Sequence, residues 1–421
     1  MEKIQVALIG AGGRGIETFG GYALQNPADI QFVAVAEPDA TRRTRFAALH
    51  QIPPVRQFAS WEDLLEKPQL CPGIIIATMD RLHYAPTLAA LQAGYDILLE
   101  KPMSTDPLEC IRLAETAEAA GRLLMICHVL RYVPFFSVLK RLLDEGFIGK
   151  LVSIQHNENV GYFHQAHSFV RGNWRNSQLS SPMILAKSCH DLDILVWLVG
   201  QRCQRVASFG SLSLFCPENA PPGSTNRCLD GCAVERECAF SARRIYLEEH
   251  PDWLDFLVPG GTPEEQRQAV HDSPYGRCVY RCDNDVVDHQ VVSLEFATGI
   301  TAAFSMCAFT QEINRTIKLM GTDGQIRGDL EKNEIEVYKF STLERMVIHT
   351  PAGLAGHGGG DAGIMHDFVS LLRPDRVAQR AHALTSASAS VESHLIAFAA
   401  ELARHEKRVV EMDAYARSLT G

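Results

Sequence analysis

The chain has 421 residues, of which 46% are hydrophobic and 21% charged, with a formal net charge of −10. That length and composition exclude a disordered or fibrous chain and allow two separate cores. The acidic balance argues against a large nucleic-acid or anionic-membrane footprint, which clustered Lys and Arg would have to supply, so the expected partner is a small molecule.

Residues 1 to 126 alternate short apolar strands with helical patterns, as a doubly wound parallel sheet requires. The run Ile4-Gln5-Val6-Ala7-Leu8-Ile9 reads as a buried strand that ends in glycines. Gly10, Gly12, Gly13, Arg14 and Gly15 form a tight turn whose backbone N–H groups can reach a pyrophosphate, and a helix over 15–24 starts with its positive end toward the phosphates. A second apolar strand over 31–36 ends at Glu37, about 20 residues past the last glycine, where a carboxylate accepts ribose hydroxyls in dinucleotide sites. NAD is therefore expected over NADP, although Arg42 and Arg43 stand near enough to bend back toward a 2′-phosphate. Helices over 41–49, 84–93 and 106–120 separate further strands over 73–78, 95–99 and 122–127. Glu100-Lys101-Pro102 follows the strand over 95–99 at its carboxyl end, where open α/β sheets place ligands. No apolar run nears the roughly 18 residues of a membrane span, and Met1-Glu2-Lys3 leads at once into the first strand, so a cytoplasmic protein is expected.

A helix carrying Phe135, Leu139, Leu142 and Leu143 leads through Gly146 and Gly149 to longer strands over 151–160, 287–296, 301–309, 316–320 and 334–340. Several alternate apolar and polar residues, as one-face-buried antiparallel strands do. The expected architecture is an α/β Rossmann N-terminal domain (1–126) plus an α+β C-terminal domain (127–421) with a large open, mostly antiparallel sheet. Ser181-Pro182 starts a helix that runs to Leu198 before Gly200. On it Lys187 and His190 share a face; buried together near Lys101, they would depress one another's pKa and keep His190 neutral. Arg131 and Tyr132, then His167, Trp174 and Arg175, offer donors and flat aromatic faces suited to a hydroxylated ring. His357-Gly358-Gly359-Gly360-Asp361 reads as a structural turn or a loop touching substrate through His357, with Asp361 as helix N-cap.

Twelve cysteines without a secretory signal point to buried thiols, metal ligation or redox chemistry. Residues 216–285 interrupt the strand pattern as an insertion that holds Cys228, Cys232, Cys238, Cys278 and Cys282. A structural zinc is expected on the first three with Cys278 or Cys282, replacing a missing core; free thiols are the alternative, because the spacings are looser than CxxC.

Taken together, Ala77-Thr78-Met79-Asp80-Arg81-Leu82-His83, Glu100-Lys101-Pro102 and Lys187-Ser188-Cys189-His190-Asp191-Leu192-Asp193 give a chain that resembles the Gfo/Idh/MocA oxidoreductase family over nearly its whole length. The resemblance implies a Rossmann domain that binds NAD or NADP, with Thr78, His83, Glu100 and Lys101 joining the glycine turn around the cofactor. It also implies a sheet that forms the substrate cleft and a homo-oligomer interface, in a dimer or tetramer. The family's lysine maps onto Lys101 and its helix histidine onto His190. Its aspartate four residues before that histidine is replaced by Ala186, so a relay through the aspartate does not carry over. The implied activity is hydride transfer between nicotinamide and a secondary hydroxyl of a sugar, glycoside or cyclic polyol such as an inositol. His190 would be the general base, Lys101 the cation at the developing alkoxide, and Lys187 an auxiliary group. Two alternatives stand beside it: a redox glycosidase that cleaves a glycosidic bond by transient oxidation and elimination, and a non-catalytic NAD-sensing regulator. Retention of Lys101 and His190, with no DNA-binding motif, argues against the regulator.

Overall fold

The computed structural model describes residues 2–254, 257–258, 260–353 and 357–420. Among these, the N-terminal strands β1 (Ile4–Ile9), β2 (Ile30–Ala36), β3 (Gln57–Phe58), β4 (Gly73–Ile76), β5 (Asp96–Leu99) and β6 (Leu124–Ile126) form one sheet in the order β3-β2-β1-β4-β5-β6. Every pairing in it is parallel. Both faces are covered, which is why β4 and β5 read as continuous apolar runs with Ile74, Ile75, Ile76, Ile97, Leu98 and Leu99 fully buried. Strand order reverses between β1 and β4, so the crevice for a ligand opens at their carboxyl ends.

The second sheet holds β7 (Leu151–Asn159), β8 (Cys203–Ser211), β9 (His289–Phe296), β10 (Thr301–Cys307), β11 (Asn314–Gly321), β12 (Gly324–Asp329), β13 (Glu334–Lys339), β14 (Arg345–His349) and β15 (Val410–Glu411). Its order is β14-β13-β12-β11-β7-β10-β9-β8-β15. The β7–β10 pair is parallel and the others antiparallel, which makes the sheet mixed. Alternation decides its buried face: Val292, Leu294 and Phe296 of β9 and Ala302, Phe304 and Met306 of β10 enter a core closed by the helices Pro134–Asp144, Cys189–Val199 and Ala387–Glu406. β8, β12, β14 and the two-residue strands β3 and β15 went unforeseen. β12 is Gly-Gln-Ile-Arg-Gly-Asp, too polar to signal a strand, and β14 is an exposed edge strand.

Three expectations change. The helix expected from 182 to 198 is two helices, Met183–Ala186 and Cys189–Val199, with Lys187 and Ser188 in a turn between them. Segment 127–421 also does not stay with its own sheet: in the helix Gly360–Leu371, Ile364, Met365 and Phe368 pack in one core with Ile75, Leu98 and Met125 of the parallel sheet, and Ile126 N–H donates to Thr385 O at 2.8 Å. The insertion 216–285, read as a break in the strand pattern, lies between the unforeseen β8 and β9, and it packs an apolar cluster that includes Phe215, Tyr246, Val270, Val279 and Tyr280. Among the described residues, no helix is long and apolar enough to cross a membrane.

Candidate active site

The glycine turn is shaped by close approach at two positions and by openness at two others. Gly10 has φ +95, and a Cβ there would lie 2.7 Å from Ala77 O; a Cβ on Gly15 would lie 2.2 Å from Gly10 O. Around Gly12 and Gly13, by contrast, a Cβ would meet nothing within 4 Å, so their backbone faces open space at the sheet's carboxyl edge. Such a cradle of bare backbone at a helix start suits a dinucleotide pyrophosphate. Glu37, at the end of β2, is buried against it: one carboxylate oxygen accepts from Ala11 N–H at 2.7 Å, the other from Asp39 N–H and Arg42 Nη2, both at 3.0 Å.

Arg14 ties three segments together. Its Nε donates to Glu100 Oε1 at 2.5 Å and its Nη2 to Asp361 Oδ1 at 2.7 Å. Asp361 is therefore not the expected N-cap; Gly359 holds that position. Burial would raise the Asp361 carboxyl, but the hydrogen bond with His357 and the charge of Arg14 hold it well below the usual carboxylate range. Thr78 and His83, expected at the cofactor, are committed to the backbone. Thr78 Oγ1 donates to Leu82 O at 3.1 Å, and the buried His83 ring spans Pro102 O at 2.6 Å and Thr78 O at 3.0 Å. His83 thus clamps the 78–83 loop to the Glu-Lys-Pro segment, with neither ring nitrogen left for a ligand.

Lys101 reaches out of the parallel sheet, and its Nζ donates to Ala186 O at 2.7 Å, one turn before His190. His190 stands in the first turn of the helix Cys189–Val199 and is only 4% exposed; its Nδ1 is buried without a partner, and among the described residues no hydrogen bond engages Nε2. Burial first, then the charges of Lys101, His128, His357 and Arg315, push its pKa well below the ordinary histidine value. A neutral imidazole beside an ammonium follows. The turn at Lys187–Ser188 swings Lys187 away toward β7, where its Nζ lies 3.3 Å from Glu158 Oε1. Lys187 and His190 therefore do not share one helix face. Burial still lowers the Lys187 pKa, with Glu158 opposing the shift, while Lys101 is the leading cation acting on His190.

Five buried groups were not singled out from the sequence. Glu158 and Asp191 are fully buried around Arg315, which lies 2.6 Å from Glu158 Oε2 and donates its Nε to Asp191 Oδ1 at 2.8 Å. His156 Nε2 meets the same Asp191 oxygen at 2.8 Å. His164 is held neutral by burial, and next by Lys187. A period-two reading of β7 would have found two of them, since Ile154, His156 and Glu158 alternate onto the buried face.

Residues 4–128 match the family model described as the oxidoreductase family, NAD-binding Rossmann fold, and residues 140–412 match the model of the oxidoreductase family's C-terminal alpha/beta domain. The chain belongs to the Gfo/Idh/MocA oxidoreductase family. It is 25% identical over 346 residues to YteT of Bacillus subtilis, named an oxidoreductase, covering 78% of each chain. It is 31% identical to inositol 2-dehydrogenase 2 of Saccharopolyspora erythraea over 131 residues, which is 31% of this chain and 35% of that one. Among solved structures, levoglucosan dehydrogenase in complex with NADH and levoglucosan shares the fold, with a TM-score of 0.71 at 18% identity over 98% of this chain and 100% of that one.

In this Gfo/Idh/MocA oxidoreductase, several residues expected at the substrate serve the scaffold. Arg131 is buried and bidentate on Asp193, with Nε and Nη2 at 2.7 Å from its two oxygens and Nη1 on Leu384 O at 2.7 Å, so its donors are used. Tyr132 donates to Asp367 at 2.6 Å. Trp174 Nε1 donates to Asp80 Oδ1 at 3.2 Å, and Arg175 forks onto Asp283 at 2.8 and 3.0 Å. His167 belongs to the insertion's aromatic cluster, stacked on Tyr275 at 4.7 Å, with its pKa lowered to about 3 by burial and then by Arg171. His357, by contrast, has its ring 5.9 Å from that of His190. The zinc expectation is likewise corrected. Cys228, Cys232, Cys238 and Cys278 do line one small cavity, but among the described residues no three His, Cys, Asp or Glu side chains are spaced to hold a metal ion. The insertion has its own apolar cluster, and Arg171, fully buried, donates to Arg277 O and Phe240 O, both at 2.7 Å, across it.

Proposed function

We propose that the protein is an NAD-dependent dehydrogenase that oxidises or forms a secondary hydroxyl on a sugar, glycoside or cyclic polyol. The observation that supports this reading is Lys101, from the end of β5, donating to Ala186 O four residues before a buried His190 whose pKa is lowered by burial and then by the Lys101 charge. Gly12, Gly13 and Glu37 would hold the cofactor, and NAD when bound supplies a two-electron hydride acceptor. His190 Nε2 takes the hydroxyl proton while the Lys101 ammonium faces the oxygen that becomes negative, so a base and a cation converge on one atom. The inositol 2-dehydrogenase relatives and the levoglucosan dehydrogenase neighbour support a hydroxylated ring as substrate class. Glu37 supports NAD over NADP, because a 2′-phosphate would meet its carboxylate.

A panel of sugars, inositols and glycosides with NAD, followed at the NADH absorbance band, identifies the substrate. With it, His190→Ala and Lys101→Ala should each lower kcat by about 10²–10⁴-fold with NADH affinity nearly intact. Retention of more than a tenth of wild-type kcat in both variants would refute the assignment. Cleavage of a chromogenic glycoside without net NADH would transfer it to the redox glycosidase class.

A further inference from the structure

Using Nε2 as the base requires that His190 carry its neutral-state proton on Nδ1, and a buried N–H needs an acceptor. Of the groups whose charges reach His190, Lys101 and Arg315 have donors only. His357 is 41% exposed, and its Nδ1 is engaged with Asp361 at 2.9 Å. His394, the next buried histidine, is saturated: Nε2 accepts from Met103 N–H at 3.0 Å, and Nδ1 lies 2.8 Å from Ser390 O. His128 remains. It lies two residues past the end of β6, is 1% exposed, and stands edge to face with His190 at 5.9 Å, with an interplanar angle of 81°. Both its ring nitrogens are buried without a hydrogen-bond partner, and its Nε2 is 3.8 Å from Asp193 Oδ1. Asp193 is in turn fixed by the fork of Arg131.

We propose that Asp193, His128 and His190 act as a relay in which His128 is the positioning residue for the base. Neither link is closed in this structure, where the Nδ1 atoms of both histidines lack a partner and His128 Nε2 stands 3.8 Å from Asp193 Oδ1; a rotation of the His128 ring within its buried site would let its Nδ1 accept the Nδ1–H of His190 and turn its own Nε2 proton onto Asp193 Oδ1. This fixes the tautomer that leaves His190 Nε2 free for the substrate proton. When that proton arrives, the O–H bond breaks, an N–H bond forms on Nε2, and the Nδ1–H of the resulting imidazolium keeps its acceptor. The relay would supply the orienting carboxylate that Ala186 lacks, with His128 from the loop after β6 and Asp193 from the helix Cys189–Val199.

This relay rests on His190 being the base, so His190→Ala is measured alongside His128→Phe and His128→Asn. Asn carries an amide oxygen close to where Nδ1 stands, and Phe carries no acceptor. His128→Phe should lower kcat about 10- to 100-fold, as loss of an orienting partner does, and move the acidic limb of the kcat–pH profile to lower pH, with NADH affinity unchanged. His128→Asn should recover much of the loss. ¹⁵N NMR of the NADH complex should show His190 protonated at Nδ1 in wild type and in His128→Asn, and a tautomer mixture in His128→Phe. If Phe prevents folding, His128→Met with the same NMR readout carries the test. A His128→Phe enzyme with kcat, pH profile and tautomer unchanged, while His190→Ala loses at least 100-fold, overturns the relay and leaves the base assignment standing. A His190→Ala enzyme that keeps more than a tenth of kcat overturns both.

Discussion

Asp80 joins the loop after β4 to the segment that carries the cleft, and its removal should be costly in a graded way. The carboxylate is 4% exposed; Oδ1 accepts from Trp174 Nε1 at 3.2 Å, and Oδ2 accepts from the hydroxyls of Ser180 at 2.9 Å and Ser181 at 2.8 Å. Both serines are buried, at 1% and 0% exposure, so Asp80→Ala strands two hydroxyls and an indole N–H. At about 1–3 kcal/mol per stranded group, the expected loss is about 3–9 kcal/mol, a large share of the roughly 5–15 kcal/mol that holds a protein folded. Asn keeps one carbonyl oxygen and should lose about half as much, while Trp174→Phe breaks the longest bond alone and should lose about 1–2 kcal/mol. Urea unfolding followed by circular dichroism should rank the variants wild type, Trp174→Phe, Asp80→Asn, Asp80→Ala, with KM for the ring substrate changed little in Trp174→Phe. A Trp174→Phe protein of wild-type stability with a KM raised tenfold would show that Trp174 binds substrate and that the latch reasoning is wrong.

Glu37→Ala should raise the ratio of kcat/KM with NADP to that with NAD, because Arg42 loses its carboxylate partner at 3.0 Å and is freed for a 2′-phosphate; an unchanged ratio in steady-state kinetics contradicts it. His394, with its pKa lowered to about 3 by burial and then by His128, binds its proton mainly when unfolded. Its contribution to stability is thus fully present above about pH 6.5 and is lost as pH falls from there toward 3, by up to about 1.4 kcal/mol per pH unit; His394→Gln should flatten the fall of melting temperature across that window. Arg171→Met leaves Arg277 O and Phe240 O without their donor, and limited proteolysis should then cut within 216–285 far faster than in wild type, with the rest of the chain resistant.

The sequence by itself determined the nucleotide half of this protein. Its signals there are local: an apolar strand, glycines at fixed offsets and an acid at the end of the next strand act through backbone conformation and chain distance, which sequence spacing reports directly. Lys101 was legible for the same reason, since the end of a parallel strand is a place in the chain as well as in space. His190 stood out through its motif, and the insertion as a break in the strand pattern, though the strand β8 before it did not. What only the tertiary structure decided was the partner of each polar side chain. Arg131, Trp174 and Arg175 carry the chemistry of sugar ligands, yet Asp193, Asp80 and Asp283, lying 62, 94 and 108 residues away in the chain, claim them. Lys187 turns to Glu158 because a two-residue break interrupts its helix, and the insertion's cysteines sit beside an apolar cluster that no local spacing revealed. A buried polar group must find a partner wherever the fold brings one, so its role is fixed by contacts that close only when distant strands and helices meet.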